Sequence, residues 1–144
     1  MGAAGVGARG VPPPAVAVAM ARVLALIPDL LFGSRVQSSL SAAGHDVELI
    51  GEEQRLKTRL SDAAAPAAAV LVVDLTNEDL DGASLVESLS GMGELERIRT
   101  LGFYAHVDAH VRQRAEQAGF DQVVPRSRMA REGDQLVARL ATAA

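Results

Sequence analysis

The sequence has 144 residues, 49% of them hydrophobic and 22% charged, which fits one compact domain. It contains no Cys and no Trp, so disulfides, thiolate metal sites and cysteine nucleophiles are excluded, and the core must be built from Ala, Val, Leu and Ile. A formal net charge of -4 and a pI near 5.3 are the wrong sign for a surface that neutralises phosphate backbones, so nucleic acid is not an expected partner, and a cytoplasmic location is expected.

Residues 1–20, MGAAGVGARGVPPPAVAVAM, are rich in Gly, Ala and Pro and lack helical or alternating polar periodicity, which predicts a disordered lead-in to a domain over 21–144. Gly5, Gly7 and Gly10 satisfy a G-x-G-x-x-G pattern. No strand precedes them, and Pro12–Pro14 stand where a phosphate-binding helix should open, so no dinucleotide site is read there. The same prolines, with Arg22 further on, interrupt a secretory signal, and a functional start at Met20 is the alternative. The longest uncharged runs, Val11–Ala21 and Ala63–Val73, are well short of the roughly 20 residues that span a bilayer, so no membrane association is expected.

From Arg22 onward short apolar runs alternate with helical spacing. Strands are predicted at Val23–Ile27, Val47–Ile50, Ala69–Leu75, Thr100–His106 and Gln122–Val124. The first helix carries a stripe of Phe32, Val36, Leu40 and Ala43, with Asp29 to cap its start and Gly44 to end it. Polar spacing predicts a second helix over Glu52–Asp62, and Leu85, Val86 and Leu89 a third over Gly82–Met92. A fourth, Asp108–Ala118, is bounded by an acceptor cap and Gly119, and a fifth runs from Arg128 to Thr142. Strands each followed by a helix predict a parallel α/β sheet with helices on both faces. Functional groups in such folds collect beyond the carboxyl ends of the strands, here after Ile27, Val73, Tyr104 and Val124.

Two stretches carry a family pattern. Val-Leu-Val-Val-Asp74-Leu-Thr-Asn-Glu-Asp-Leu-Asp81-Gly82 has a strand, a terminal aspartate, a loop and an Asp-Gly opening a helix. Arg22-Val-Leu through Ala42-Ala43-Gly44-His45-Asp46-Val47 gives strand, helix and strand without a gap. Over Arg22–Ala141 the chain resembles the receiver domains of bacterial response regulators. The resemblance implies a five-stranded, CheY-like, flavodoxin-like (βα)5 three-layer sandwich, with Asp74 at the phosphoacceptor position.

The sequence also departs from that family. Receivers hold a magnesium ion on two acidic residues after the first strand, where this chain has Ile27 and Pro28, with Asp29 one step further on. The conserved lysine is replaced by Arg126, a planar fork in place of a compact ammonium, and the switch hydroxyl by Tyr104, whose ring needs room in a packed layer. A pseudo-receiver is therefore expected, signalling by protein–protein contact without magnesium-dependent phosphorylation, with no enzyme activity and no cofactor. By resemblance the partner surface is formed by Tyr104, Arg112, Arg114, Arg126, Arg128 and Arg131, and either another protein or a second copy of the chain is the expected partner. The alternatives are a phosphorylatable single-domain regulator with Asp74 as acceptor, and a small flavin or nucleotide binder. The last finds no Gly- or Ser/Thr-rich loop in Pro28-Asp29-Leu30-Leu31-Phe32-Gly33, an apolar stretch that could instead cover the site or meet a partner.

Other chemistry finds little support. His106 and His110 have metal-ligand spacing but lack the Glu of H-E-x-x-H, and Gln113 breaks the D-x-H-x-x-G motif begun by Asp108. His45 reads as a turn residue, and Ser34, Ser38 and Ser39 have no nucleophile elbow.

Overall fold

In the computed structural model, which describes residues 21–105 and 108–142, strand and helix alternate along the chain. The elements are β1 (Arg22–Leu26), α1 (Leu30–Ala42), β2 (Asp46–Ile50), α2 (Glu53–Ser61), β3 (Val70–Asp74), α3 (Gly82–Gly91), β4 (Arg99–Tyr104), α4 (Ala109–Ala118), β5 (Gln122–Pro125) and α5 (Arg126–Thr142). The strands form one parallel sheet in the order β2-β1-β3-β4-β5. The chain thus reverses its winding between β2 and β3, which places the switch point beside β1 and β3.

Alternate residues of the central strands enter two separate cores. Val23, Ala25, Ile27, Val70, Val72, Leu101 and Phe103 pack under α1 and α5, against Phe32, Val36, Leu40, Met129, Leu136, Val137 and Leu140. Leu24, Leu26, Leu71 and Val73 face the other way, onto Leu56 of α2, Leu85, Val86 and Leu89 of α3, and Ala115 and Ala118 of α4. Every residue of β3 is buried because helices cover both faces, which is why its sequence is an unbroken apolar run with no alternation. Residues 1–20, expected to be a lead-in, lie outside the described residues.

Most helix ends follow the predicted stop signals. Asp29 accepts hydrogen bonds from the Leu31 and Phe32 N–H groups, and Asp81 from that of Ser84, so both are N-caps. Gly119 closes α4 at φ 104, a left-handed value that strains any residue with a Cβ. Asp108 occupies the N-cap of α4 but makes no side-chain cap bond.

Three expectations are corrected. The fourth strand stops at Tyr104, and His106 lies outside the described residues. The fifth helix begins at Arg126, two residues before the expected start, because β5 runs into it through Pro125 without a loop, and proline's fixed φ suits a residue preceding a helix. His45 sits at the α1–β2 turn but is buried at 4% exposure, with neither ring nitrogen bonded to a protein partner, so it packs as part of the core.

Candidate functional site

The carboxyl ends of β1, β3, β4 and β5 bring Ile27, Asp74, Tyr104 and Arg126 to one edge of the sheet. Asp74 is the last residue of β3 and is only 2% exposed. Its Oδ1 accepts two hydrogen bonds from Thr76, one from the backbone N–H at 2.7 Å and one from the hydroxyl at 2.6 Å. Such short bonds to a carboxylate are the strong, charge-assisted kind, and they hold the side chain against the turn that follows the strand.

Apolar groups frame this carboxylate. Asp74 is in register with Phe103 on β4, so the two side chains are same-face neighbours. The Phe103 ring packs against that of Phe32, with centroids 5.1 Å apart and planes tilted by 52°. On the other side Leu26 pairs with Val73, so the register places Ile27 next to Asp74, and Ile27 is fully buried. A receiver would have an acidic residue at that point.

Arg126 is held by two groups of the α1 start. Its guanidinium lies 4.1 Å from the centroid of the Phe32 ring and 3.7 Å from the Asp29 carboxylate. Among the described residues no ion pair joins Arg126 to Asp74. Asp29 is committed in turn, with Oδ1 on the first turn of α1 and Oδ2 on Arg126. A magnesium ion prefers several oxygen ligands in octahedral array. Here Asp74 has one oxygen engaged by Thr76, Asp29 faces a cation, and Ile27 and Pro28 offer no side-chain oxygen, so these residues do not fit that ion. No group of three His, Cys, Asp or Glu side chains among the described residues could hold a metal.

The remaining residues expected at a partner surface divide into separate contacts. Tyr104 is 6% exposed and reaches Arg112; Glu116 first, and then this phenol, hold the Arg112 guanidinium above its ordinary value. Arg114 crosses to α3, where it meets Glu87 at 3.1 Å and the Ser84 hydroxyl at 3.3 Å. Arg128 and Arg131 share Glu132, at 3.5 and 3.3 Å. The structure therefore brings Tyr104 together with Arg112 and sets Arg114 and Arg126 on opposite sides of the sheet. Two apolar residues in the stretch after β1 are strongly exposed, Leu30 at 75% and Leu31 at 68%, whereas Phe32 beside them is buried under Arg126. Thr76, which bonds Asp74, was not legible in the sequence; its position two residues after a strand-end aspartate is the turn-forming spacing that could have found it.

Solved structures share this fold. A response regulator from Thermotoga maritima superposes with a TM-score of 0.72 at 15% identity, covering 86% of this chain and 99% of that one. The non-phosphorylated HemR receiver domain from Leptospira biflexa gives 0.70 at 19% identity, over 86% of this chain and 96% of that one. The receiver domain of the Francisella response regulator 1452 gives 0.70 at 17%, over 84% and 96%. The chain has the CheY-like receiver fold. No protein-family model and no curated protein matches the sequence, so the likeness rests on shared architecture at low identity. Within that receiver fold, Asp74 occupies the end of the central strand, and the flanking residues are those described above.

Proposed function

We propose that this receiver fold serves as a pseudo-receiver, a signalling domain that works by binding another protein and does not require magnesium-dependent phosphorylation of Asp74. The observation that supports this reading is the setting of Asp74: a buried carboxylate bonded to Thr76 and flanked by Ile27 and Phe103, while Arg126 pairs with Asp29 and Phe32. Phosphoryl transfer to a carboxylate brings two anions together, and positive charge placed at the reacting oxygens is what makes that feasible. Among the described residues no ion pair is made by Asp74. The domain then acts without catalysis, in the cytoplasm, through a protein partner or a second copy of itself; no helix among the described residues is long and apolar enough to cross a membrane.

The arginines beyond the sheet edge supply the contact in this reading. Arg128 and Arg131 lie on the first turns of α5 with Glu132 as their shared intramolecular partner, and an incoming carboxylate can compete for such exposed pairs at small cost. Reversing both charges is expected to weaken capture of the partner while leaving the fold intact, since neither side chain is in the core. Unchanged capture would remove this patch.

The deciding experiment is intact-mass measurement after incubation with a small phosphodonor, with and without Mg²⁺, on the native chain and on Asp74→Asn. No mass gain is expected. A metal-dependent gain of one phosphoryl group that disappears in Asp74→Asn would replace this reading with a phosphorylatable regulator. Flavin or nucleotide retained through purification would point to a small-molecule binder.

A further inference from the structure

The carboxyl edge of the sheet carries two unlike corners. On the α1–α5 side, Leu30 and Leu31 open α1 and are both strongly exposed. Arg35, one turn after Leu31 on the same helix, is exposed and makes no ion pair among the described residues. On the other side of the sheet a cleft of about 380 Å³ lies between the β3–α3 loop and the start of α4. Leu75, Leu80 and Val111, all half-buried, give it apolar walls, and Glu78 and Asp81 line it as well. Asp79 follows Glu78 in the same exposed loop, and neither has an ion-pair partner among the described residues. Arg114, the cation in the lining, is taken up by Glu87 at 3.1 Å. One corner therefore offers leucine and arginine, and the other an apolar cleft with carboxylates.

We propose that these corners bind each other between two copies of the chain, forming a two-fold dimer through the carboxyl edge of the sheet. Both corners stand at that edge, on opposite faces. A two-fold axis lying in the plane of contact and crossing midway between two patches exchanges them, so the leucines of each copy meet the cleft of the other and the contact is made twice. Such a pair is closed and leaves no free corner to grow a filament. Burial of Leu30 and Leu31 drives the contact, and charge sets its register. Arg35 comes towards Glu78 and Asp79, whereas bringing like corners together would set arginine against arginine or carboxylate against carboxylate. A net charge of -4 opposes association in other orientations. The dimer rests on the reading of this domain as one that works by protein contact. It makes the partner a second copy, which covers the edge bearing Asp74.

The test is sedimentation of the full chain over a range of concentrations, with two charge-swapped variants. One is Leu31→Glu with Arg35→Glu, and the other is Glu78→Arg with Asp79→Arg; all four side chains are exposed, so the core is untouched. The native chain is expected to show a reversible monomer–dimer equilibrium. Each variant alone sets like charges together at both contacts and should raise the dimer Kd at least about tenfold. An equimolar mixture of the two should dimerise again, because one contact then has both charges reversed and the other is native. A native chain that stays monomeric up to about 1 mM would overturn the proposal. So would a dimer that persists in either variant, or a mixture that fails to associate, since the interface would then lie elsewhere. Sedimentation reads the contact and intact mass reads Asp74, so loss of the dimer leaves the phosphodonor result standing, and a phosphorylated Asp74 leaves the dimer to be judged on its own.

Discussion

The guanidinium of Arg126 is stacked 4.1 Å from the centre of the Phe32 ring, joining the first residue of α5 to the first turn of α1. Asp29, the N-cap of α1, takes the same arginine at 3.7 Å. A side chain that follows the carboxyl end of β5 is thus used to hold two helices together. Removing the charge with Arg126→Met should cost about 0.5–1 kcal/mol, the size of a partly exposed cation–π contact. Asp29→Ala should cost about 1 kcal/mol, mostly as a lost helix cap. A double-mutant cycle measured by urea unfolding should give a coupling below about 1 kcal/mol, since both partners are nearly half exposed.

Thr76→Val keeps the shape of the side chain but removes the hydroxyl that donates to Asp74. The carboxylate retains the Thr76 N–H, so the expected loss is about 1–2 kcal/mol at neutral pH, less than for a fully orphaned buried charge. Thr76→Ser restores the donor and should recover most of that loss. Equal stability of the Val variant and the native protein in denaturant titrations would show that the 2.6 Å contact contributes nothing.

Two glycines meet the same leucine from different elements. A Cβ on Gly82 would lie 2.7 Å from Val73 Cγ1 and 2.9 Å from Leu75 Cδ2, and one on Gly102 would lie 2.7 Å from Leu75 Cδ1 and 3.0 Å from Phe120 Cε2. Gly82→Ala and Gly102→Ala should each destabilise by about 1–3 kcal/mol through overpacking. Gly91, at the end of α3, has nothing within 4 Å of its added Cβ. Gly91→Ala should be neutral or stabilising by up to about 0.5 kcal/mol from helix propensity. Thermal melts of the three variants should separate them in that order.

Asp81 should make stability depend on pH. Its bond from the Ser84 N–H, then that from the Ser84 hydroxyl, lower its pKa below the ordinary 3.8, against a small opposing effect of burial. The folded state therefore binds fewer protons than the unfolded chain as this group titrates, and the cap's contribution is complete above about pH 5 and lost as pH falls below 3.8 towards the depressed value. At pH 7 Asp81→Ala should cost about 1 kcal/mol. Near pH 3 that difference should shrink measurably; a difference that stays constant down to pH 2 would mean the carboxylate charge is not what caps α3.

The α/β class, all five strands and all five helices were legible in the sequence, because unbroken runs such as Val70–Val73, stripes such as Phe32–Val36–Leu40, and caps such as Asp29 and Asp81 are local signals that burial and hydrogen bonding then reinforce. The position of Asp74 at a strand end was equally local. What could not be read from the sequence was which groups surround it. Parallel strands adjacent in space are distant in sequence, so the register of Asp74 with Phe103, and Ile27 alongside, emerges only when the sheet is assembled. The same is true of Arg126, whose choice of Phe32 and Asp29 depends on α5 starting directly after Pro125 and packing beside α1. It also holds for His45, polar and turn-like in sequence, which the docking of α1 onto the sheet removes from water. Backbone periodicity followed from the order of residues, but the electrostatic surroundings of the buried Asp74 carboxylate were set by contacts between segments many residues apart.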